Sequence, residues 1–248
     1  MTQKLKAPIQ IHNLSVGFPL CQPLLTGLNF SLQPGEKLAI LGPNGVGKTT
    51  LLKTIAGLHP PLAGEIKWPF PLPEKPRYLA YLPQKMTPPR GFTLLEIVFM
   101  GRYPLKKGIP RKDKQDMEKV ERVLQKLQLW DLRHREGCQL SGGEQSLMFL
   151  AQLLVQEADY LLLDEPFSHL DMKHQVQILD ILEELKQEGK AICLTLHLLN
   201  LASKMDRILL LGKGKTVDWG SSKEVLVPQK LGEAFELNPE QVHLFFNP

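Results

Sequence analysis

The chain has 248 residues, 43% of them apolar and 23% charged, a balance that excludes a disordered, collagen-like or disulfide-scaffold protein. Its 30 Lys+Arg against 26 Asp+Glu leave a formal charge of +4 without a long single-sign block, which names no partner by itself. The length is ample for a large hydrophobic core without covalent staples. Cys21, Cys138 and Cys193 are widely spaced and form no CxxC pair, which predicts a reduced compartment and small buried thiols. No run has signal-peptide character or bilayer-spanning length, so the chain is expected to be neither secreted nor membrane-spanning, though free to dock on a membrane protein.

Short β-type runs, several bounded by Gly or Pro, recur along the sequence: IQI at 9–11, LNFSL at 28–32, KLAIL at 37–41, YLAYL at 78–82, YLLL at 160–163, AICLTL at 191–196 and RILLL at 207–211. Several are continuously apolar, as strands covered by helices on both faces are, and this predicts an α/β core. Helices are predicted over 47–58, 172–188 and near 222–231. Residues 85–157 hold no convincing strand and read as three helices, 93–100, 112–129 and 141–156. In the middle one Met117, Val120, Val123, Leu124, Leu127 and Leu129 fall near one face. The expected organisation is one unit over 1–248, with 1–84 and 158–248 as the α/β core and 85–157 as an inserted helical part. Residues 67–76, KWPFPLPEKP, contain four prolines and predict a stiff surface loop. The tail beyond Pro239 carries no signal.

Residues 42–49, GPNGVGKT, match GxxxxGK[ST] in full, preceded by a predicted strand and followed by a predicted helix. Gly42, Gly45 and Gly47 permit close backbone approach, so successive N–H groups and a helix N-terminus can converge on phosphate oxygens. Lys48 brings a positive charge to the β- and γ-phosphates, and the Thr49 hydroxyl suits magnesium. Further on, YLLLDEP at 160–166 ends an apolar strand in two carboxylates. Strand alternation should point Asp164 and Glu165 to different sides and give them different roles. Asp164 fits a magnesium-side acid and Glu165 a general base for the attacking water.

LSGGEQ at 140–145 lies between these two motifs and resembles the signature sequence of ABC-type ATPases. The resemblance covers about 9–227. It implies a P-loop NTPase fold: a RecA-like α/β core with an N-terminal antiparallel β part, an inserted helical subdomain, and ATP hydrolysis with magnesium. It also implies a head-to-tail homodimer that buries each ATP between one copy's phosphate loop and the other's signature. Pro43, Asn44, Val46 and Thr50 complete the nucleotide loop. Ser141, Gly142 and Gly143 would open a helix toward the γ-phosphate; the same residues read equally as a plain cap, with Ser141 capping and Glu144 as its acidic partner.

Phe18 resembles the aromatic that stacks on adenine, Gln84 the glutamine that reaches magnesium or water, and Asp171 the acid of the dimer-crossing loop. His197 resembles the switch histidine at the γ-phosphate. The catalytic set so implied is Lys48, Gln84, Glu165 and His197, with Thr49, Gln84 and Asp164 around the metal. The chain departs from the family pattern at Gln145, Ser146 and Gln152, at Phe167 after DEP and at Leu198 after His197, and 64–84 is short. None of these removes a catalytic residue, so hydrolysis is expected to survive.

Residues 92–104, 170–182 and 197–226, above all GRYP and LDMKHQ, resemble the importer ATPases for ferric siderophores, haem and cobalamin, while zinc and manganese importer ATPases share much of the pattern. The resemblance implies a peripheral place on the cytoplasmic face of the cell (inner) membrane. Its partners would be a permease pair gripped beside Gln84 and, indirectly, an external substrate-binding protein. Nucleic acid is not an expected partner, since no basic stripe is interleaved with aromatics. The histidines show no HExxH or paired Cys/His spacing, and a zinc site of His169 and His174 near Asp171 is disfavoured. A soluble ATP-driven clamp or assembly factor is the alternative. One cassette without coiled-coil heptads weighs against it. A non-hydrolysing nucleotide switch rests only on the departures after the signature.

Overall fold

The computed structural model describes residues 7–105, 113–168, 170–213, 215–238 and 241–242. The elements run β1 Ile9–Val16, β2 Leu25–Leu32, β3 Lys37–Leu41, α1 Lys48–Ile55, β4 Ala63–Lys67, α2 Lys75–Tyr78, β5 Leu79–Leu82, α3 Leu94–Phe99, α4 Lys114–Lys126, α5 Gly142–Leu154, β6 Tyr160–Asp164, α6 Met172–Gln187, β7 Ala191–Thr195, α7 Leu199–Ala202, β8 Arg207–Gly212, β9 Lys215–Ser221, α8 Ser222–Val225 and α9 Pro228–Phe235.

The strands form two sheets. One is antiparallel in the order β2-β1-β4; the other has six strands in the order β5-β6-β7-β3-β8-β9, parallel except for the β8–β9 pair. Every residue of β3, β6 and β7 is buried, which is why these strands read as unbroken apolar runs. Alternation then divides β6 between two cores. Leu161 and Leu163 pack with the helices of 94–154, while Tyr160 and Leu162 pack with β1, β2 and α1. In register, Asp164 lies beside Thr195, and Thr195 beside Ile40, at the carboxyl ends of the parallel strands, where α/β folds place their ligands.

Between β5 and β6 the described residues form α3, α4, α5 and short 3₁₀ turns, with only an isolated Thr93–Glu136 bridge of β type. The predicted stripe of α4 is real: Val120, Leu124, Leu127 and Leu129 are buried, and Met117 and Val123 pack partly against the same core. The predicted start of that helix at residue 112 lies outside the described residues.

Four expectations change. β4 and β9 were not predicted, because of β4 only Ile66 is buried and β9 is a polar edge strand. The proline-rich stretch is no featureless loop. A 3₁₀ turn and α2 form there because Pro73 and Pro76 sit at first-turn positions, where a missing N–H costs nothing. Phe70 is buried, stacked on Tyr78 at 5.4 Å and tilted against Tyr160 at 5.5 Å, and the Trp68 indole donates to Ile55 O at 3.0 Å. The predicted last helix is two, α8 and α9, because Pro228 starts a new helix rather than continuing the old one. Of the thiols only Cys193 is buried, and that burial pushes its pKa up; Cys21 is exposed between β1 and β2, and Cys138 is exposed in a 3₁₀ turn.

Candidate functional site

The chain leaves β3 at Leu41 and turns back on itself before α1. Gly42, at φ +150°, would put any Cβ 2.6 Å from Leu211 O, so a side chain there collides with the β8 backbone. Gly47 is the N-cap of α1 in the left-handed region at φ +112°, a conformation that lets the loop enter the helix with its N–H groups converging. Pro43, Asn44 and Gly45 form the loop's outer turn. The side chains of Val46 and Thr50 are buried.

Lys48 is 7% exposed, and its Nζ donates to Gly42 O at 2.7 Å and Pro43 O at 3.0 Å. Burial lowers its pKa, opposed by the charges of Glu165 and Asp164. Asp164 is 1% exposed; its Oδ1 accepts from Thr195 Oγ1 at 2.7 Å and from Thr49 Oγ1 at 3.2 Å, while its Oδ2 is buried with no partner. A buried, unpartnered carboxylate oxygen beside a hydroxyl is a hard-oxygen donor set, and it fits Mg²⁺.

Glu165 differs from Asp164 as expected, but the cause is stronger than alternation. It lies just beyond β6 at φ +53°, a left-handed turn that swings its side chain off the sheet. Its N–H donates to Thr195 Oγ1 at 2.8 Å, its Oε1 lies 2.5 Å from His197 Nε2, and its Oε2 accepts from Ser168 Oγ at 3.1 Å. Burial alone would raise this carboxyl. The hydrogen bond and charge of His197, with hydrogen bonds from Ser168 and Gln84, hold it below the ordinary carboxylate range. The fold thus brings Lys48, Thr49, Gln84, Asp164, Glu165 and His197 together. Thr195 and Ser168 were missed: Ser168 lies in the turn after β6, whereas Thr195 ends β7 and reaches Asp164 and Glu165 only through strand pairing.

The signature stands across a cleft of about 350 Å³, lined by Gln84, Met86, Gly142, Ser146, Glu165 and Ser168 among others. Ser141 caps α5: its N–H donates to Glu144 Oε2 at 2.7 Å and its Oγ accepts from Glu144 N at 3.3 Å, the reciprocal pair expected. Hydrogen bonds from Ser141 hold Glu144 below its usual range. Phe18 is 50% exposed, edge-on to His59 at 6.2 Å. Asp171 caps α6, accepting from His174 N at 2.9 Å, and lies 2.8 Å from His174 Nδ1. His169, of the disfavoured zinc site, lies outside the described residues, among which no three or more His, Cys, Asp or Glu side chains cluster to hold a metal. Of the departures, Phe167 is buried in the core, Leu198 is exposed, and Gln145 donates to Leu140 O at 2.9 Å.

A family model described as "ABC transporter" matches residues 25–168. YusV of Bacillus subtilis, named "Probable siderophore transport system ATP-binding protein", is 36% identical over 238 residues, 93% of this chain and 86% of that protein. MntB of Bacillus subtilis, a manganese transport system ATP-binding protein, is 34% identical over 232 residues, 92% of each chain. Among solved structures, an inward-facing ABC transporter of the metal-chelate type aligns with a TM-score of 0.82 at 30% identity, covering 94% of this chain and 90% of that one. The family match runs from ahead of the phosphate loop to the turn after the acidic strand end, and the relatives align along nearly the whole length. The chain therefore belongs to the ABC transporter family, as its ATP-binding and ATP-hydrolysing component.

Proposed function

We infer that this chain powers an importer for a metal chelate, an iron siderophore first, by hydrolysing ATP between two copies of itself. The observation that carries the hydrolytic part is the acidic strand end: a buried Asp164 with one free oxygen beside Thr49, and Glu165 turned away from it toward His197. Thr49 and Asp164, with Gln84 close by, would hold Mg²⁺, which when bound supplies charge neutralisation at the phosphate oxygens.

The loop amides of 42–50 and Lys48 bind and orient the β- and γ-phosphates of ATP, and Phe18 stacks on the base. Glu165, kept ionised by its neighbours, accepts the proton of the attacking water, and His197 fixes that carboxylate and reaches the γ-phosphate. Ser141, Gly142 and Gly143 of a second copy close the site from the other side, with Asp171 in the loop between copies.

Relatives named for siderophore and for manganese transport support a metal-linked cargo, and the GRYP and LDMKHQ phrases favour the chelate. The names of the import-system relatives support a seat on a permease at the cytoplasmic face, held beside Gln84 and α3. The residues 85–157 act as the helical subdomain in this reading. The test is to tag the protein, solubilise membranes gently and identify what co-purifies. A polytopic permease encoded with a chelate-binding protein is the expected result; recovery from the soluble fraction alone would favour the clamp or assembly factor and overturn the importer.

A further inference from the structure

The GRYP phrase at 101–104 has a physical role that nucleotide chemistry does not use. Arg102 follows α3 in a 3₁₀ turn and is 5% exposed. Its Nε donates to Asp116 Oδ1 at 2.9 Å in the first turn of α4. Its Nη1 donates to Glu157 Oε2 at 2.9 Å and to Val155 O, both in the link from α5 to β6. Lys119 Nζ holds Glu157 Oε2 from the other side at 2.5 Å, so two cations and two carboxylates balance. Beside it, a Cβ on Gly101 would lie 2.0 Å from Gln152 O, so the backbone of this turn rests directly on the last turn of α5. A planar fork with several fixed acceptors defines orientation as well as position, which an ammonium does not.

We propose that Gly101 and Arg102 form a rigid joint that locks the far end of α5 to the segment leaving the Gln84 loop. Arg102 is thereby a positioning residue for the Ser141–Gly143 end. The joint rests on the two-copy reading above. α5 has 13 residues and is therefore about 20 Å long. A tilt of about 10° at the joint displaces the opposite end by about 3 Å, far beyond the tolerance of a hydrogen bond to a phosphate oxygen. With the joint intact, α3 and α5 move as one body, and the signature of one copy arrives at the other's nucleotide in register.

The test uses the full chain carrying Glu165→Gln to prevent turnover, with ATP and Mg²⁺. Light scattering after size exclusion gives the ATP concentration that half-assembles the dimer, and a fluorescent ATP analogue gives single-copy affinity. Arg102→Lys is expected to raise the half-assembly concentration at least tenfold while single-copy affinity stays within twofold. Glu157→Gln, at a half-exposed position, strips the charge from one acceptor of the fork; it is expected to raise the concentration by about threefold and decides the matter if Arg102→Lys does not fold. A merely structural loosening would weaken both measurements together. Variants that assemble at the parent's ATP concentration overturn the joint. A Glu165→Gln chain that stays monomeric at saturating ATP overturns the two-copy reading beneath it.

Discussion

The phosphate-loop side and the signature side of this chain both present a glycine-rich helix N-terminus, yet they are held in opposite ways. Lys48 is buried and donates to Gly42 O and Pro43 O, and the buried Asp164 at the end of β6 accepts from Thr49 of α1 and Thr195 of β7. The signature turn is exposed and held locally by its own capping box, Ser141 to Glu144. One half of the site is set by the sheet. The other is set by a cap at one end of a helix and by whatever fixes that helix at its far end.

Five substitutions break or sharpen this contrast. Glu165→Gln strikes the sheet-held half and is expected to lower turnover on the order of 10³-fold with ATP binding retained, read as steady-state phosphate release against nucleotide affinity. His197→Gln keeps a hydrogen-bonding group but loses the imidazole paired with Glu165, and turnover should fall on the order of 10²-fold.

The sign of its pH effect follows from Glu165. Its folded pKa is depressed, so the stabilisation from its partners is present above the unfolded value and lost as pH falls through the depressed one. Removing the charge of His197 raises that folded value, and the acid limb of the pH–rate profile should move upward; an unmoved limb would sever His197 from the carboxylate.

On the cap-held half, Ser141→Ala should cost about 1 kcal/mol of stability as well as activity. Ser141→Asn should retain the cap, losing only a few tenths of a kcal/mol, and still lower turnover by about tenfold. Equal melting with equal activity for Ser141→Asn would reduce the serine to a cap. The smallest effect belongs to Trp68→Phe. It should lose about 1 kcal/mol with the indole bond to Ile55 O and leave ATPase activity unchanged.

The legible parts of the sequence were those where local and tertiary demands coincide. Strands buried on both faces are apolar throughout, so β3, β6 and β7 stood out, and the phosphate loop needs its glycines at fixed spacing whatever surrounds it. Edge strands are less constrained, and β4 and β9 passed unread. The proline-rich segment misled because four prolines exclude a long helix but allow two first turns in succession, and nothing local says that Phe70 is buried. At the site, the motifs located Asp164 and Glu165, but the hydroxyls that set their geometry, Thr195 from β7 and Ser168 from the turn after β6, are visible only once the strands are in register. Arg102 was visible as part of a phrase. Its burial between two acids 14 and 55 residues away was not.

The chain has three tryptophans, and each is in a different part of the fold with a cation over its ring. Trp68 binds the end of α1 under Lys75, at 5.2 Å; Trp130 stands among the helices under Arg133, at 4.4 Å; Trp219 lies on the sheet edge under Arg207, at 4.1 Å. Emission from each indole responds to the charge beside it, so versions of the chain that retain one tryptophan apiece carry a native fluorophore in the nucleotide-loop region, the helical region and the sheet edge separately. Stopped-flow traces from such versions would give the order in which the three regions answer ATP without any added dye.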